Sequence, residues 1–224
     1  MNKRASVPAA PAGSLTDLAY AHLEELIVTL KLEPGAVVSE TELSERTGIG
    51  RTPIREALQR LAREKLVAIL PRRGIVVSDI NVGNQLRLLE VRRVLERLIA
   101  RSAARRATTA ERQRFRELAR AFEKAAKNDD DVTFMRIDRE FNELCSTASH
   151  NDFAAGAMSL MHSLSRRFWY IHYKRAADMP LTAKLHADIA GAIAGEDEEG
   201  AARASDRLLD SIEKFTRDTL DTDV

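Results

Sequence analysis

The chain has almost no cysteine, few aromatic residues, little net charge and no long apolar run. A single cysteine, Cys145, among 224 residues leaves nothing for an internal disulfide to close. Aromatic side chains are 5% of the whole, whereas Ala, Leu, Arg and Glu recur throughout, a composition that favours packed helices over sheets. The fold is expected to be mainly α. No stretch near the N-terminus carries the continuous apolar core of a signal peptide or a membrane span, so a cytoplasmic protein with no membrane partner is expected. The formal net charge of +1 gives no bulk attraction to nucleic acid, so any such role must come from where the charges lie. H-E-x-x-H, Gly-rich phosphate loops and nucleophile elbows are all missing, which counts against an enzyme.

Hydrophobic residues make up 44% of the chain, enough for one large domain or two modest ones. Residues 1–14, MNKRASVPAAPAGS, are rich in Ala, Pro and Ser without an apolar period and read as a disordered arm. From there Leu15, Leu18, Ala19, His22, Leu23, Leu26, Ile27 and Leu30 follow helical spacing, and Pro34-Gly35 ends the run. TELSERTG makes a short helix closed by Gly48. A third helix is expected to open with Thr52 as N-cap and Pro53 in its first turn. On it Ile54, Ala57, Leu58 and Leu61 share one face, while Arg51, Arg55 and Gln59 recur on another. LVAIL and GIVVS follow as two β-branched runs joined by Pro71, Arg72, Arg73 and Gly74, a hairpin with two positive charges in its turn.

Three helices and a basic hairpin over residues 15–79 make a winged helix-turn-helix. Residues 15–48 hold two basic and seven acidic residues, whereas residues 51–73 hold seven basic and two acidic ones. Positive charge is therefore concentrated on the third helix and the wing, where Lys and Arg can meet phosphates and an arginine fork can bond the O6 and N7 edge of guanine.

The stretch from LTDLAYAHLEEL to PRRGIVVS resembles the DNA-binding domain of GntR-family transcription regulators. The resemblance rests on L-x-P-G, L-S-E-R-T-G-I, R-T-P-I-R-E-A-L-Q-R-L and P-R-R-G-I-V-V taken together. It implies operator contacts from Thr41, Gly50, Arg51, Thr52 and Arg55, with Arg73 and Gly74 of the wing in the minor groove beside the basic Arg72. Lys65 departs from the family, which usually has glycine at the end of the recognition helix.

After Asp79 the sequence is helical to its end. Apolar positions three and four apart run through Asn84–Ala107, Thr109–Lys127, Asp131–Ser149, Asp152–Arg175, Leu181–Ala194 and Glu196–Leu220. Thr108 and Glu111 have the spacing of a capping box. About six helices are enough for a bundle around an internal cavity. LLEVRRVLERLIARSAARRA, DREFNEL and KLHADIAGAIAGEDEEGAARA resemble the effector domain of the family's FadR branch. That resemblance implies an antiparallel α-helical bundle over residues 80–224 that dimerises and binds a small organic acid, often beside a divalent metal such as Zn held by one Asp and three His. Asp138 and His186 match that ligand set, but Asn142 and Leu208 stand where two of the histidines belong. His162, His172 and Asp206 are the other donors that could complete a site.

Without the metal, Arg92 could grip a carboxylate with its fork while Asn142 and His186 add hydrogen bonds. Phe168, Trp169 and Tyr173 either line that pocket or serve the core or a dimer interface. The expected protein is a homodimeric, effector-controlled regulator, by default a repressor, on palindromic operator DNA. Two other readings stay open at this point: an architectural DNA binder without effector, and a helical metal-dependent hydrolase built on Asp138 and His186.

Overall fold

The computed structural model describes residues 14–71, 74–128, 131–176 and 178–219. The expected arm up to residue 13, the wing-tip residues Arg72 and Arg73, and Leu220 lie outside these. Contacts divide the chain into two units, one ending at Asp79 and the other beginning at Ile80.

The first unit runs α1 (Leu15–Val28), β1 (Val37–Val38), α2 (Glu40–Thr47), α3 (Arg51–Arg63), β2 (Val67–Leu70) and β3 (Gly74–Val77). A capping box opens α1: the Ser14 hydroxyl accepts the Asp17 N–H at 3.1 Å and the Asp17 carboxylate accepts the Ser14 N–H at 3.2 Å. The helix is shorter than its apolar spacing suggests. It ends at Val28, and Leu30 turns left-handed with φ 61°. Leu15, Leu18 and His22 are exposed, so the buried stripe is Ala19, Leu23, Ile27 and Val28. Those residues meet Ile54, Ala57, Leu58 and Leu61 of α3, all 2% exposed or less, each large one contributing about 1.5–3 kcal/mol. Ser39 caps α2 by accepting the Glu42 N–H at 3.1 Å, and Gly48 ends it in the left-handed region at φ 70°.

The hairpin forms with Val67 opposite Val77 and Leu70 opposite Gly74. A third strand, β1, adds to the far edge of β3 and was not visible in the sequence. Gly74 has φ 92°, and a Cβ there would sit 3.1 Å from the Val38 carbonyl oxygen, so this close approach of β1 requires glycine.

Lys65 explains its own oddity. It has φ 60°, its N–H donates to the Ala62 carbonyl at 3.1 Å, and the Leu66 N–H reaches the Leu61 carbonyl at 3.0 Å. These are the two bonds of a Schellman motif with Lys65 in the position that favours glycine. A left-handed L residue costs roughly 1–2 kcal/mol, partly offset by the greater unfolded-state freedom of glycine. Lys65→Gly should therefore stabilise this unit by about 1 kcal/mol, raising its melting temperature by roughly 4–8 °C. A melting temperature that stays level or falls would show that the aliphatic stem of Lys65 holds the turn.

The second unit consists, among the described residues, of α4 (Val82–Arg106), α5 (Thr109–Asn128), α6 (Asp131–Ala148), α7 (Asp152–Ala176), α8 (Met179–Ala194) and α9 (Glu198–Asp218). These six helices depart from the sequence reading only at their ends. Glu196, for example, turns left-handed at φ 63°, so α9 waits for Asp197 as N-cap. The Thr108–Glu111 capping box forms, with the Thr108 N–H on the Glu111 carboxylate at 2.7 Å. α5 packs along α8 and α4 along α9, with Phe115, Leu118, Phe122, Ala190 and Ile193 in the interior. Arginines one turn apart on α4 meet acids of α9: Arg93 reaches Asp210 at 2.7 Å, Arg97 pairs with Asp206, and Arg101 reaches Glu199 at 3.0 Å. Such partly exposed pairs contribute about 0–1 kcal/mol each and serve mainly to set register. No helix among the described residues is long and apolar enough to cross a membrane.

Candidate nucleic-acid interface and bundle interior

With Ile54, Ala57, Leu58 and Leu61 turned inward, the opposite face of α3 shows Arg51, Arg55 and Gln59 to solvent. The helix starts earlier than Thr52. Gly50 is its N-cap, because the Gly50 carbonyl already accepts the Ile54 N–H at 3.2 Å. Thr52 and Pro53 fall within the first turn, where the missing proline N–H costs nothing. No side chain caps this end, so its outward N–H groups and the positive end of the helix dipole are open to an anion. Thr41, Gly50, Arg51, Thr52 and Arg55 are all exposed, on α2, the turn before α3 and α3 itself.

The arginines of α3 divide by partner. Arg60 lies over the Tyr20 ring at 3.6 Å and donates to Glu64 at 3.3 Å, while Tyr20 donates to the other Glu64 oxygen at 2.7 Å. This group braces α1 against α3 and satisfies a buried carboxylate. Arg55 is held side-on by Glu40, with Nε 2.8 Å from Oε1 and the Nη2 nitrogen 2.6 Å from Oε2. That hydrogen bond, against a smaller effect of burial and with help from the Arg55 and Arg51 charges, holds the Glu40 carboxyl below its ordinary range. Arg51 forms no ion pair among the described residues.

In the bundle, Asp138 of α6, with Asn142 one turn on, meets His186 of α8. His186 is buried; its Nε2 is 3.0 Å from Asp138 Oδ1 and its Nδ1 is 2.8 Å from the Thr182 carbonyl oxygen. A carbonyl only accepts, so Nδ1 carries a hydrogen and donates it to Thr182, while Nε2 faces the Asp138 carboxylate. Phe122, Phe134 and Phe141 surround the ring at 5.1, 5.4 and 5.5 Å. Burial pushes the Asp138 carboxyl up, but the hydrogen bond and charge of His186, aided by Arg92 and His162, bring it below the usual carboxylate range. Asn142 donates its amide to the Asp138 carbonyl at 2.9 Å and carboxylate at 3.1 Å.

Arg92 sits in the same electrostatic neighbourhood with one edge taken: its Nε is 2.6 Å from Glu96 Oε1, and the two side chains are 11% and 16% exposed. Burial, reinforced by the Arg92 charge, holds His162 below the ordinary histidine range. Burial, with the charges of Glu96 and Asp138, pushes the Cys145 thiol well up. The indole Nε1 of Trp169 and the Ser165 hydroxyl are buried without a hydrogen-bond partner among the described residues. Trp169 lies 6.5 Å from Phe134, which itself touches His186, and Tyr173 stacks on it. Phe168 is buried against Phe215.

The sequence singled out Asp138, Asn142, His186 and Arg92 but missed Glu96, Thr182 and the three phenylalanines. Glu96 and Thr182 left a signal, their spacing of four residues from Arg92 and from His186; the phenylalanines left none. Leu208 is buried in the apolar core, Asp206 is engaged by Arg97, and the His172 ring lies tilted against Phe168 at 4.6 Å. A structural transition-metal site needs four N, O or S donors and a catalytic one three. Here Asp138 and His186 supply two, the Asn142 amide nitrogen is turned to Asp138, and no group of three His, Cys, Asp or Glu among the described residues could hold an ion. The donor set does not fit the metal that the resemblance implied.

Comparison with known proteins bears on both units. Residues 15–77 match the bacterial regulatory proteins of the gntR family, and residues 87–211 match the FCD domain. The chain is 26% identical to the HTH-type transcriptional repressor RspR of Escherichia coli over 211 residues, covering 92% of this chain and 91% of that one. It is 28% identical to the galactonate operon transcriptional repressor of Escherichia coli over 220 residues, covering 88% and 94%. Among solved structures, Escherichia coli McbR/YncC superposes with a TM-score of 0.78 at 18% identity, covering 93% of this chain and 99% of that one. A regulator from Rhodococcus sp. RHA1 follows at 0.61 and 20%, covering 91% and 98%.

Proposed function

Because the chain belongs to the GntR family of bacterial transcription regulators, in the branch that carries an FCD domain, we propose that this DNA-binding regulator works as a homodimeric repressor released by a small organic acid. The observation that carries the DNA half is α3 itself: one face is wholly buried while Arg51, Arg55 and Gln59 stand exposed on the other. Thr41, Gly50, Arg51, Thr52 and Arg55 contact the operator, Arg73 and Gly74 of the wing enter the minor groove, and Arg72 adds a further DNA contact. Two copies place two such helices on a palindromic site, as two-fold symmetry demands.

The effector half is carried by Arg92, Asp138, Asn142 and His186. A purely architectural DNA binder would gain nothing from charged groups in the interior of its second unit, and a hydrolase would want a set of metal donors that the described residues do not bring together. The name of the galactonate repressor makes sugar acids the first class to try. The protein acts in the cytoplasm and without catalysis. An acid that binds one conformation of the FCD domain better shifts the dimer away from its operator-binding state.

The test is enrichment of duplexes from a random pool, followed by native mass spectrometry of the complex. The expected result is an inverted repeat carrying two chains of 25.0 kDa. A motif without two-fold symmetry, bound by one chain, would overturn the dimeric reading.

A further inference from the structure

Arg55 presents a puzzle if it reads DNA, because a carboxylate already holds it. Arginine has five N–H donors in a planar fork. Glu40 takes the side edge, Nε and one hydrogen of the Nη2 nitrogen, at 2.8 and 2.6 Å. The end edge, where Nη1 and Nη2 each direct a hydrogen away from the stem, remains open, and the Arg55 side chain is 53% exposed. That end edge can bond the O6 and N7 acceptors of guanine as a bidentate pair. An exposed arginine alone carries about 2 kcal/mol of rotamer freedom, much of it lost on binding. An arginine already clamped in the reading plane has lost part of it before DNA arrives.

Glu40 is well placed for this. It stands in the first turn of α2, whose Ser39 cap and packing against α3 fix the backbone, and it is the more sheltered partner at 25% exposure. We infer that Glu40 is a specificity-determining residue of the operator face: it positions the Arg55 guanidinium so that its outer edge reads one base pair, and its own charge keeps that face from gripping phosphates indiscriminately. This rests on the operator-reading role of α3 proposed above.

Two consequences separate this role from mere support of the fold. Without the Glu40 carboxylate, Arg55 swings between base and phosphate, so discrimination at one base pair should fall by about 5- to 150-fold, the range of a lost bidentate contact. At the same time a negative charge leaves a surface that meets the DNA backbone, so binding to a scrambled duplex should tighten and its salt dependence steepen. A loosened fold would weaken both duplexes together.

The experiment uses the full-length chain and the motif that the wild-type protein enriches from a random duplex pool. Wild type, Glu40→Ala, Glu40→Gln, Arg55→Ala and the Glu40→Ala/Arg55→Ala double variant are titrated on the enriched duplex, on its single-base-pair substitutions and on a scrambled duplex at two salt concentrations. A thermal melt of each variant checks folding, since Glu40 also favours the start of α2. Expected are loss of preference at the same base pair in Glu40→Ala and Arg55→Ala, no further loss in the double variant, a smaller loss in Glu40→Gln, and tighter scrambled-duplex binding by Glu40→Ala. Unchanged preference in a folded Glu40→Ala, or equal weakening on every duplex, overturns the inference. A wild-type protein that enriches no motif overturns the operator-reading role, and this inference with it.

Discussion

Arg51→Ala is expected to cost about 1–3 kcal/mol at one base pair of each half-site, roughly 5- to 150-fold in operator affinity, while leaving the fold intact. Arg51 is the first residue of α3, exposed, and without an ion pair among the described residues. Its whole fork is available, where that of Arg55 is divided with Glu40. Removing an exposed side chain with no internal partner should change stability by no more than about 0.5 kcal/mol. The competing possibility is that Arg51 meets a phosphate at the uncapped end of α3. The two leave different traces. A base reader loses affinity for the preferred duplex and much less for its variant at one position; a phosphate contact weakens all sequences alike and lowers the salt slope by about 1. Competition binding across single-substituted duplexes at two salt concentrations distinguishes them, and a uniform loss would remove Arg51 from base recognition.

Much of this face was legible in the sequence because its determinants are local. The stripe Ile54, Ala57, Leu58, Leu61 follows from helical period alone, and its burial leaves no choice about where Arg51, Arg55 and Gln59 point. Gly48 follows from backbone sterics, whereas Lys65 takes the left-handed position against them. What stayed hidden was either too short or too distant. β1 is two residues long, below the length at which alternation can be read. The Glu40–Arg55 clamp joins positions 15 apart on separate helices. Thr52 has the better N-cap side chain, yet Gly50 takes the place because the carbonyl that starts the ladder belongs to it.

The bundle shows the same division more sharply. Helix extents and the Thr108–Glu111 cap are local and came out within a few residues. The surroundings of His186 come from α5, α6 and α8; Thr182 stands one turn before it on α8, but no spacing rule links Phe122, Phe134 and Phe141 to it. The resemblance brought Asp138 and His186 together. It could not say that Asn142 would turn its amide toward Asp138 or that Leu208 would join the apolar core.

Arg92→Met should abolish the response to the acid while sparing operator binding, but the single variant alone would be hard to interpret. It leaves Glu96, 16% exposed, without its cation. Breaking a fully buried pair costs about 3–5 kcal/mol, and the partial exposure here reduces that to roughly 2 kcal/mol. The Arg92→Met/Glu96→Met double variant removes both charges at similar volume and should recover most of this. Trp169 supplies the readout. It is the only tryptophan of the chain and lies beside Phe134 on the way to His186. Its buried Nε1 has no acceptor among the described residues. An acid entering beside Arg92 and His186 should shift Trp169 emission in the wild type and lower its affinity for the enriched duplex. In both variants the emission should stay still at acid concentrations that saturate the wild type, with duplex affinity within a few-fold of normal. A double variant that still shifts and still releases DNA would remove Arg92 from the site and leave recognition to His186, Asp138 and Asn142. The distinction matters because Glu96 engages only Nε of Arg92. The end edge of that guanidinium remains for a ligand carboxylate, so an internal acid fixes the orientation of an arginine here just as Glu40 does for Arg55.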